Sequence, residues 1–429
     1  MLILTLFGSM LFLFLLGLPI AFGVGLAGAT ALFMMPKVSF EVIVQRMFFG
    51  LDSFLILSVP LFLLFGDLME SAKITDRLVT FTLTLIGRLR GGLGHVTVAT
   101  ECVLSGVTGS GAGDAAALGS VLVPAMVSAG YGTPYAAALV GAASVLGPII
   151  PPSIIMVVYA SIANVSVGRI FLGGFGPGVL TAGLLMILTS FIARRRNIPT
   201  GGRSSLREVV RATGRASLVL LAPFIVIAGI VGGIFTATES AGIACLYALV
   251  LGLGVYRSLS LRELPPIFSR TILTTGRVMF VLATASVFSW ILARGGVPAQ
   301  VARLPFFNDP SKPWLILLAL NVLLLILGCL MDSLAILLII TPMIMPIAAS
   351  AGIDPVHLGV VMTVNLSIGL VTPPFGSAMF VLMGISRCSM ADFSREAWPY
   401  IIILVIALIV MTYIPGIVLW LPNLLMGRA

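Results

Sequence analysis

The feature that most constrains this chain is a series of long apolar runs that fill most of its length. The runs fall at about residues 2–17, 19–35, 50–71, 133–163, 170–193, 216–236, 238–256, 272–293, 355–384 and 398–421. Charged residues make up only 9% of the sequence and the mean hydropathy is +1.18, so lipid must cover most of the surface. Because a helical crossing takes roughly 20 apolar residues, the sequence predicts an all-α membrane protein of about ten spans.

Some of these apolar stretches cannot be simple crossings. A helix over the first 35 residues would be over 50 Å long at about 1.5 Å per residue, so Gly17 and Pro19 are predicted to break it. Two further apolar regions, 91–129 and 313–350, are interrupted near their middles by small and polar residues. Their halves, of about 15 residues each, are too short to cross, so each region is predicted to form a re-entrant helical hairpin.

The distribution of basic residues predicts the orientation. The loop 194–215 holds seven arginines and is therefore placed in the cytoplasm. This choice leaves 17 basic residues inside and 7 outside, and it puts both termini outside. Hairpin 91–129 then opens inward and hairpin 313–350 opens outward. The basic residues lie between apolar segments, where they fix topology, so the net charge of +9 does not indicate binding of nucleic acid.

Segment 74–90 has two readings. It carries Arg77, Arg88 and Arg90 around an apolar centre, so it is predicted to lie flat at the inner surface. The alternative is an eleventh span, which would weaken the charge asymmetry.

An internal repeat appears when the chain is shifted by 222 residues. Gly106 then aligns with Gly328, Pro124 with Pro346, and the pair Pro151-Pro152 with Pro373-Pro374. Residues 1–200 and 201–429 would each hold five spans and one hairpin, and an odd number of spans inverts the second copy in the membrane. The sequence thus predicts an inverted-repeat transporter; an ordinary duplicated core is the alternative.

Two groups of polar and helix-breaking residues occupy matching places in the halves. The first joins the run Ser105–Asp114 to Gly147–Ser153, and the second joins Gly328–Ser333 to Asn365–Pro374. A Pro-Pro pair within the membrane removes two N–H donors and frees carbonyls, which cost several kcal/mol each if left without partners. A dehydrated cation such as Na⁺ satisfies such carbonyls, and hydroxyls or a carboxylate add further hard oxygen ligands. The predicted Na⁺-binding residues are Ser105, Thr108, Ser110, Gly147, Pro151, Gly328, Asp332, Ser333, Gly369 and Thr372.

An anionic substrate is expected beside these cation sites. The second helix of each hairpin is predicted to begin near residues 113 and 334, with its positive dipole end pointing toward the midplane. The predicted substrate-binding residues are Gly111, Gly113, Asp114, Ser153, Asn365 and Ser367. Na⁺ is the expected coupling ion, and no organic cofactor is expected.

These residues carry a resemblance to a known family. The patterns SGxxGSxxxDxxALGSxxxPxM, GPxxPPS, LxMDSxAxxLxxxPxxxP and NLxIGLxTPPxG, with the opening GLPIAFGVG, resemble the large permease (M) subunit of tripartite ATP-independent periplasmic (TRAP) transporters. The resemblance runs over essentially the whole chain. It implies Na⁺-coupled uptake of C4-dicarboxylates or sialic acid across a bacterial inner membrane by an elevator-like motion. It also implies two partners, a small membrane (Q) subunit and a periplasmic substrate-binding (P) protein; the chain resembles the unfused form.

Several residues keep simpler readings open. Asp332 is expected at membrane depth, where a carboxylate is costly, but it could instead cap a helix. N-terminal capping alone could also explain Asp114. Glu101 could pair with Arg88 or Arg90. His95 and His357 are expected to be interfacial residues rather than proton relays.

Two other classes of protein are alternatives. The segment Gly111–Asp114 matches the GxGD pattern of intramembrane aspartyl proteases, with Asp332 as the second acid. In those proteases, however, the GxGD aspartate comes second in the chain, and the repeat pairs Ser110 rather than Asp114 with Asp332. A passive anion channel is the other alternative, and it would need no cation sites.

Overall fold

The computed structural model describes residues 2–35, 38–198, 200, 202, 204–304, 306–307 and 309–427. Arg203, one of the seven loop arginines, lies outside the described residues. The described part consists of helices, with one isolated bridge between Arg90 and Thr200. The predicted all-α class is confirmed.

Twenty α-helices follow one another along the described part of the chain. They are α1 Leu2–Leu15, α2 Ile20–Leu32, α3 Glu41–Leu51, α4 Ser58–Ser71, α5 Ile74–Ile86, α6 Gly92–Thr108, α7 Gly111–Ser128, α8 Thr133–Ser144, α9 Ile154–Ala163, α10 Val167–Arg195, α11 Leu206–Val231, α12 Ala237–Leu249, α13 Leu264–Arg294, α14 Val297–Val301, α15 Pro313–Gly328, α16 Ser333–Ser350, α17 Pro355–Gly369, α18 Ser377–Ser386, α19 Met390–Tyr413 and α20 Gly416–Met426. A π-helical segment, Val250–Val255, continues α12.

Length and composition identify membrane-crossing helices among them. In the described part, seven helical segments of 18 or more residues are apolar enough to cross a membrane. Shorter apolar helices, such as Ile154–Ala163 and Ser377–Ser386, follow the two Pro-Pro pairs. Large apolar side chains also face outward, including Leu4 at 80% and Phe224 at 68% exposure. Such a surface is stable only against lipid, so the protein is integral to the membrane.

The regions predicted to be hairpins are pairs of helices separated by very short turns. Their second helices, α7 and α16, have 18 residues each and are long and apolar enough to cross, so the prediction that both arms are too short is wrong for them. The re-entrant path of each region stays a prediction. In hairpin 91–129, α6 ends at Thr108 and α7 begins at Gly111. In hairpin 313–350, α15 ends at Gly328 and α16 begins at Ser333. Both second helices begin within two residues of the predicted positions.

Each apolar run that contains a Pro-Pro pair is two helices joined by a non-helical segment. The first break (residues 145–153) separates α8 from α9, and the second break (residues 370–376) separates α17 from α18. Proline cannot donate to the helical ladder, which explains both interruptions. The start residues also keep the sequence shift: α7 and α16 begin at 111 and 333, α8 and α17 at 133 and 355. The inverted orientation of the second half and its boundary near residue 200 stay predictions.

Two further predicted runs need correction. The run 398–421 is two helices, because Pro415 has no N–H to donate to the carbonyl of Met411. That carbonyl instead contacts His357 Nε2 on α17 at 3.0 Å. The run 50–71 begins at the end of a helix that the apolar pattern missed, α3, and its crossing helix α4 starts only at Ser58. The predicted break at Gly17–Pro19 is confirmed, since α1 ends at Leu15 and α2 begins at Ile20.

The core that positions the hairpins is built from the short and broken helices. Helix α8 packs against α7 and α19, while α17 packs against α15, α10 and α19. Tyr135 on α8 and Tyr400 on α19 are buried and share a hydrogen bond of 3.0 Å. Segment 74–90 contains α5, which packs along α6 and α11. Helix α5 is only 13 residues long, which is too short for a full crossing.

Candidate functional site

The first hairpin tip is the two-residue turn between α6 and α7, Gly109-Ser110. Gly109 ends α6 with φ +62°, a left-handed conformation that a side chain would strain. Ser110 then caps α7, its hydroxyl accepting a hydrogen bond from the N–H of Gly113 at 3.4 Å. The cap leaves Asp114 one turn into α7, with its side chain directed back toward α6.

A polar cluster lies directly behind this tip, in which Glu101, Ser105 and Asp114 are buried and Thr108 is half-buried. The hydroxyl of Thr108 donates to Asp114 Oδ1, and the hydroxyl of Ser105 lies 3.3 Å from Glu101 Oε1. The carboxyl groups of Glu101 and Asp114 lie within hydrogen-bonding reach of each other. Within the described residues, Glu101 Oε2 and Asp114 Oδ2 have no hydrogen-bond donor. This arrangement places two acidic groups together without a basic partner, so the pair must either share a proton or be neutralised by a cation.

The first break lies directly against the hairpin tip. A β-carbon at Gly147 would fall on Asp114 Oδ2 and within 3.0 Å of the backbone of Gly111. In this fully described stretch, no hydrogen bond ends on the carbonyls of Gly147, Pro148, Pro151 or Pro152. Ser153 starts α9 as its cap, accepting from the N–H of Met156 at 3.3 Å. The structure therefore packs the first break against the first tip, and Na⁺ binding by these groups stays a prediction.

The second hairpin tip has a comparable arrangement with different capping. Asp332 caps α16, accepting from the N–H of Leu334 at 3.0 Å. The buried Ser333 hydroxyl donates to the carbonyl of Leu366 on α17 at 3.2 Å. Gly328 and Gly369 meet backbone to backbone, since a β-carbon at Gly328 would lie 3.6 Å from the α-carbon of Gly369. This tip therefore packs on the end of α17 that leads into the second break.

The second break also presents carbonyls without partners. The Thr372 hydroxyl donates to the carbonyl of Ile368 at 2.7 Å, which leaves its oxygen lone pairs available. No hydrogen bond between described residues ends on the carbonyls of Thr372, Pro373 or Pro374. The two sites touch through Leu370, whose side chain packs on Gly111 at the first tip.

Two predicted substrate-binding residues, Asn365 and Ser367, form hydrogen bonds to other residues of the protein. The Asn365 amide donates to the backbone carbonyl and side-chain oxygen of Asn321 on α15, at 3.0 and 2.9 Å. The Ser367 hydroxyl donates to the carbonyl of Thr363 within α17, at 2.7 Å. Both side chains are buried. These contacts join α17 to α15, and a substrate role for either residue stays a prediction.

The structure changes the reading of two acidic residues. Asp332 is exposed at the second tip and caps α16, so the capping role is present in the structure, and its role toward Na⁺ stays a prediction. Glu101 does not pair with the arginines: Arg90 donates instead to Asn197 Oδ1 at 3.1 Å. Sequence reasoning missed the approach of Glu101 to Asp114. The only signal was two acids on the facing arms of one predicted hairpin.

The histidines serve as packing contacts in both halves. His95 Nε2 lies 3.1 Å from the Ser190 hydroxyl, and His357 contacts α19 as described above. Within the described residues, neither of these contacts links a histidine to Glu101 or Asp114.

The possible ligands at the two tips are oxygen atoms. Among the described residues, no group of three or more His, Cys, Asp or Glu side chains could hold a metal ion. The groups assembled at the tips are hydroxyls and backbone carbonyls, with two carboxyl groups at the first tip and that of Asp332 at the second. Such oxygen sets bind hard cations rather than transition metals.

Comparison with known proteins identifies the family. The profile described as "Tripartite ATP-independent periplasmic transporter, DctM component" matches residues 7–417. The chain belongs to this family. The sialic acid TRAP transporter large permease SiaM of Vibrio cholerae is 38% identical over 96% of each chain. The C4-dicarboxylate TRAP transporter large permease DctM of Pseudomonas aeruginosa is 37% identical over 93% of each chain.

The fold is shared with more distant transporters. The YdaH transporter of Alcanivorax borkumensis superimposes with a TM-score of 0.62 over 88% of each chain, at 16% identity. The transporter-like fold is thereby confirmed. Membership in the TRAP permease family makes this chain a transport subunit of the bacterial inner membrane and implies a system with further subunits.

Proposed function

We propose that this permease takes up an organic carboxylate across the cytoplasmic membrane in symport with Na⁺. The observation that carries the proposal is the pairing of each hairpin tip with a Pro-Pro break. At both places, a tip that carries hydroxyl groups packs close to a break whose proline carbonyls accept no hydrogen bond among the described residues. A bound Na⁺ would satisfy those carbonyls, and its absence would leave them costly in the membrane.

The first Na⁺ site would use Ser105, Thr108 and Ser110 with the carbonyls of the first break. Glu101 and Asp114 would add negative potential, because their buried carboxyls lack a basic partner among the described residues. The second site would use Ser333 and Thr372 with the carbonyls of the second break, and Asp332 would be its carboxylate. The two sites therefore differ in acidity while sharing their backbone chemistry.

The carboxylate substrate would bind between the tips, where α7 and α16 begin. Each of these helices is 18 residues long, and its first N–H groups favour an anion. Relatives named for sialic acid and for C4-dicarboxylates support a carboxylate as the transported group. Na⁺ bound at the adjacent breaks would raise the affinity for that anion by Coulomb attraction, which couples the two fluxes.

The transport cycle would use the two halves of the chain. If residues 1–200 and 201–429 form inverted copies, the hairpins would carry Na⁺ and substrate between the two faces in an elevator-like motion. The small membrane subunit would complete the permease, and a periplasmic binding protein would deliver the substrate.

The experiment is uptake into liposomes that contain the permease and its small subunit, with the binding protein outside. An inward Na⁺ gradient should drive accumulation of a radiolabelled carboxylate, and an equal choline gradient should not. A flux that is the same with Na⁺ and with choline would contradict symport and favour a passive anion channel.

A further inference from the structure

A polar cleft of about 430 Å³ lies apart from the two hairpin tips. It is lined by α3 and the segment that follows it, by the end of α9, and by faces of α13 and α16. The residues that carry the argument are Arg46, Asp52, Ser53, Ser161, Ser286 and Trp290. The described function gives this cleft no role.

Arg46 is the residue of the cleft that most favours binding of an anion. Its side chain is half-buried, and its guanidinium lies over the Trp290 ring at 5.2 Å and near the Phe49 ring at 5.6 Å. Within the described residues, Arg46 forms no ion pair. Its planar fork of N–H donors is therefore held in place by aromatic rings and left free to bind an anion.

The rest of the cleft supplies neutral polar groups. The hydroxyls of Ser53 and Ser161 are hydrogen-bonded at 3.0 Å and join the α3–α4 segment to the end of α9. Ser286 and Ser289 line the opposite wall on α13. Asp52 also lines the cleft, but it is exposed. One guanidinium with hydroxyls and an aromatic face is a set that recognises a carboxylate with polar substituents.

The position of the cleft relates it to transport. Val158 and Leu338, which also line it, follow the first break and the second tip by only one to two helical turns. In the orientation predicted from the basic residues, Arg46, Asn164 and Trp290 all lie on the outer side of the membrane. A ligand there would lie between the outside solution and the hairpin tips.

We propose that this cleft is an outer binding site for a small organic carboxylate, with Arg46 as its anion-binding group. The assignment rests on the proposed function, because it takes the transported substrate as the ligand. The cleft would hold the carboxylate before it reaches the helix N-termini at the tips. Arg46 would form the paired hydrogen bonds to the carboxylate, and the serine hydroxyls would contact its substituents.

The test uses Trp290 as the reporter. Trp314, Trp398 and Trp420 are all exposed, so replacing them by Phe leaves Trp290 as the single tryptophan of the full chain. This chain is placed in phosphatidylcholine nanodiscs and titrated with succinate and, separately, with sialic acid. We expect a saturable change in Trp290 fluorescence with at least one of the two. Arg46→Gln should raise the Kd at least about tenfold, and Arg46→Lys should raise it less, because lysine keeps the charge without the planar fork.

Of two further variants, one should change the Kd in the opposite direction and the other should leave it unchanged. Asp52→Asn should lower the Kd, since it removes a negative charge from the cleft wall. Arg303→Gln removes an exposed arginine outside the cleft and should leave the Kd unchanged. Absence of a saturable response to both carboxylates, or an Arg46→Gln titration identical to the parent's, would overturn the proposal.

An anionic lipid headgroup could offer the same charge. The measurement is therefore repeated in nanodiscs containing phosphatidylglycerol. If that lipid alone changes the fluorescence, through Arg46, and carboxylates do nothing, the cleft is a lipid site and the proposal is wrong. Binding is measured without a Na⁺ gradient. Loss of binding alongside intact Na⁺-driven uptake would refute only the cleft, whereas Na⁺-independent uptake would refute only the coupling.

Discussion

The carboxyl group of Asp114 on α7 lies against that of Glu101 on α6, and both residues are fully buried. The contact joins the two arms of the first hairpin behind its tip. If both groups are ionised, two negative charges this close in a low-dielectric interior repel each other, and we expect a bound cation to stabilise the hairpin.

Glu101→Gln tests whether this repulsion lowers the stability of the protein. We expect the variant to melt on the order of 2 °C higher than the parent in Na⁺-free choline buffer, because one of the two buried acids is gone. The added stability that NaCl gives the parent should shrink. The measurement is a thermal melt of the purified permease in matched choline and sodium chloride. Glu41→Gln, at the exposed start of α3, is the control; equal melts for parent and Glu101→Gln would contradict the account.

The close contact of the breaks with the tips predicts that added methyl groups are damaging there. A β-carbon at Gly369 would fall on the backbone of Gly328, and one at Gly147 on Asp114. Gly147→Ala and Gly369→Ala should each raise the Na⁺ concentration for half-maximal uptake, since the freed carbonyls move away from the tip hydroxyls. Gly132→Ala, where a β-carbon meets nothing within 4 Å, should behave like the parent. Parent-like Na⁺ curves for both site variants would show that the contact does not matter for the ion.

Asp332 can be tested for charge and for capping separately. Asparagine is as good a helix cap as aspartate, whereas alanine is not. If the carboxylate acts on Na⁺, Asp332→Asn and Asp332→Ala should both abolish uptake while the protein inserts normally. Uptake is compared at equal amounts of membrane-inserted protein. Full activity of Asp332→Asn with loss only in Asp332→Ala would assign the residue to capping.

The small membrane subunit should be required for transport. Family membership implies further subunits, and the broad exposed apolar surface leaves room for a helical partner in the membrane. Liposomes with this chain and the binding protein alone are therefore expected to show no uptake, and adding the small subunit should restore it. Substantial uptake by the chain and the binding protein alone would refute this requirement.

The sequence predicted the parts of the site that depend on local chemistry. Proline and glycine interrupt helices wherever they lie, so the break at Pro19, the two Pro-Pro breaks and the starts of α7 and α16 followed from local rules. Pro415 interrupts a helix for the same reason, but this break was not predicted because the run 398–421 is apolar throughout. Helix α3 was missed because its mixed polarity does not resemble a span.

The remaining features depend on tertiary packing. Nothing in the sequence around Glu101 indicates that it meets Asp114 rather than Arg90, because the contact depends on how α6 and α7 pack. The exposure of Asp332 likewise depends on which neighbours cover the second tip. The pairing of Asn365 with Asn321 joins α17 to α15 across 44 residues, and no local pattern predicts such a pair.

The central claim is that two Na⁺ sites lie where the hairpin tips meet the Pro-Pro breaks. Its most direct test is a Na⁺ titration of uptake at saturating substrate for Ser105→Ala, Ser110→Ala, Ser333→Ala and Thr372→Ala. Thr80→Ala, whose hydroxyl bonds only its own helix in the described structure, is the matched control. Each site variant should need roughly 5- to 150-fold more Na⁺ for half-maximal uptake, since one hard-oxygen ligand is worth about 1–3 kcal/mol. A steep Na⁺ dependence in the parent should also flatten. Four curves that superimpose on the parent's would mean that these hydroxyls bind no sodium, and the two-site account would be wrong.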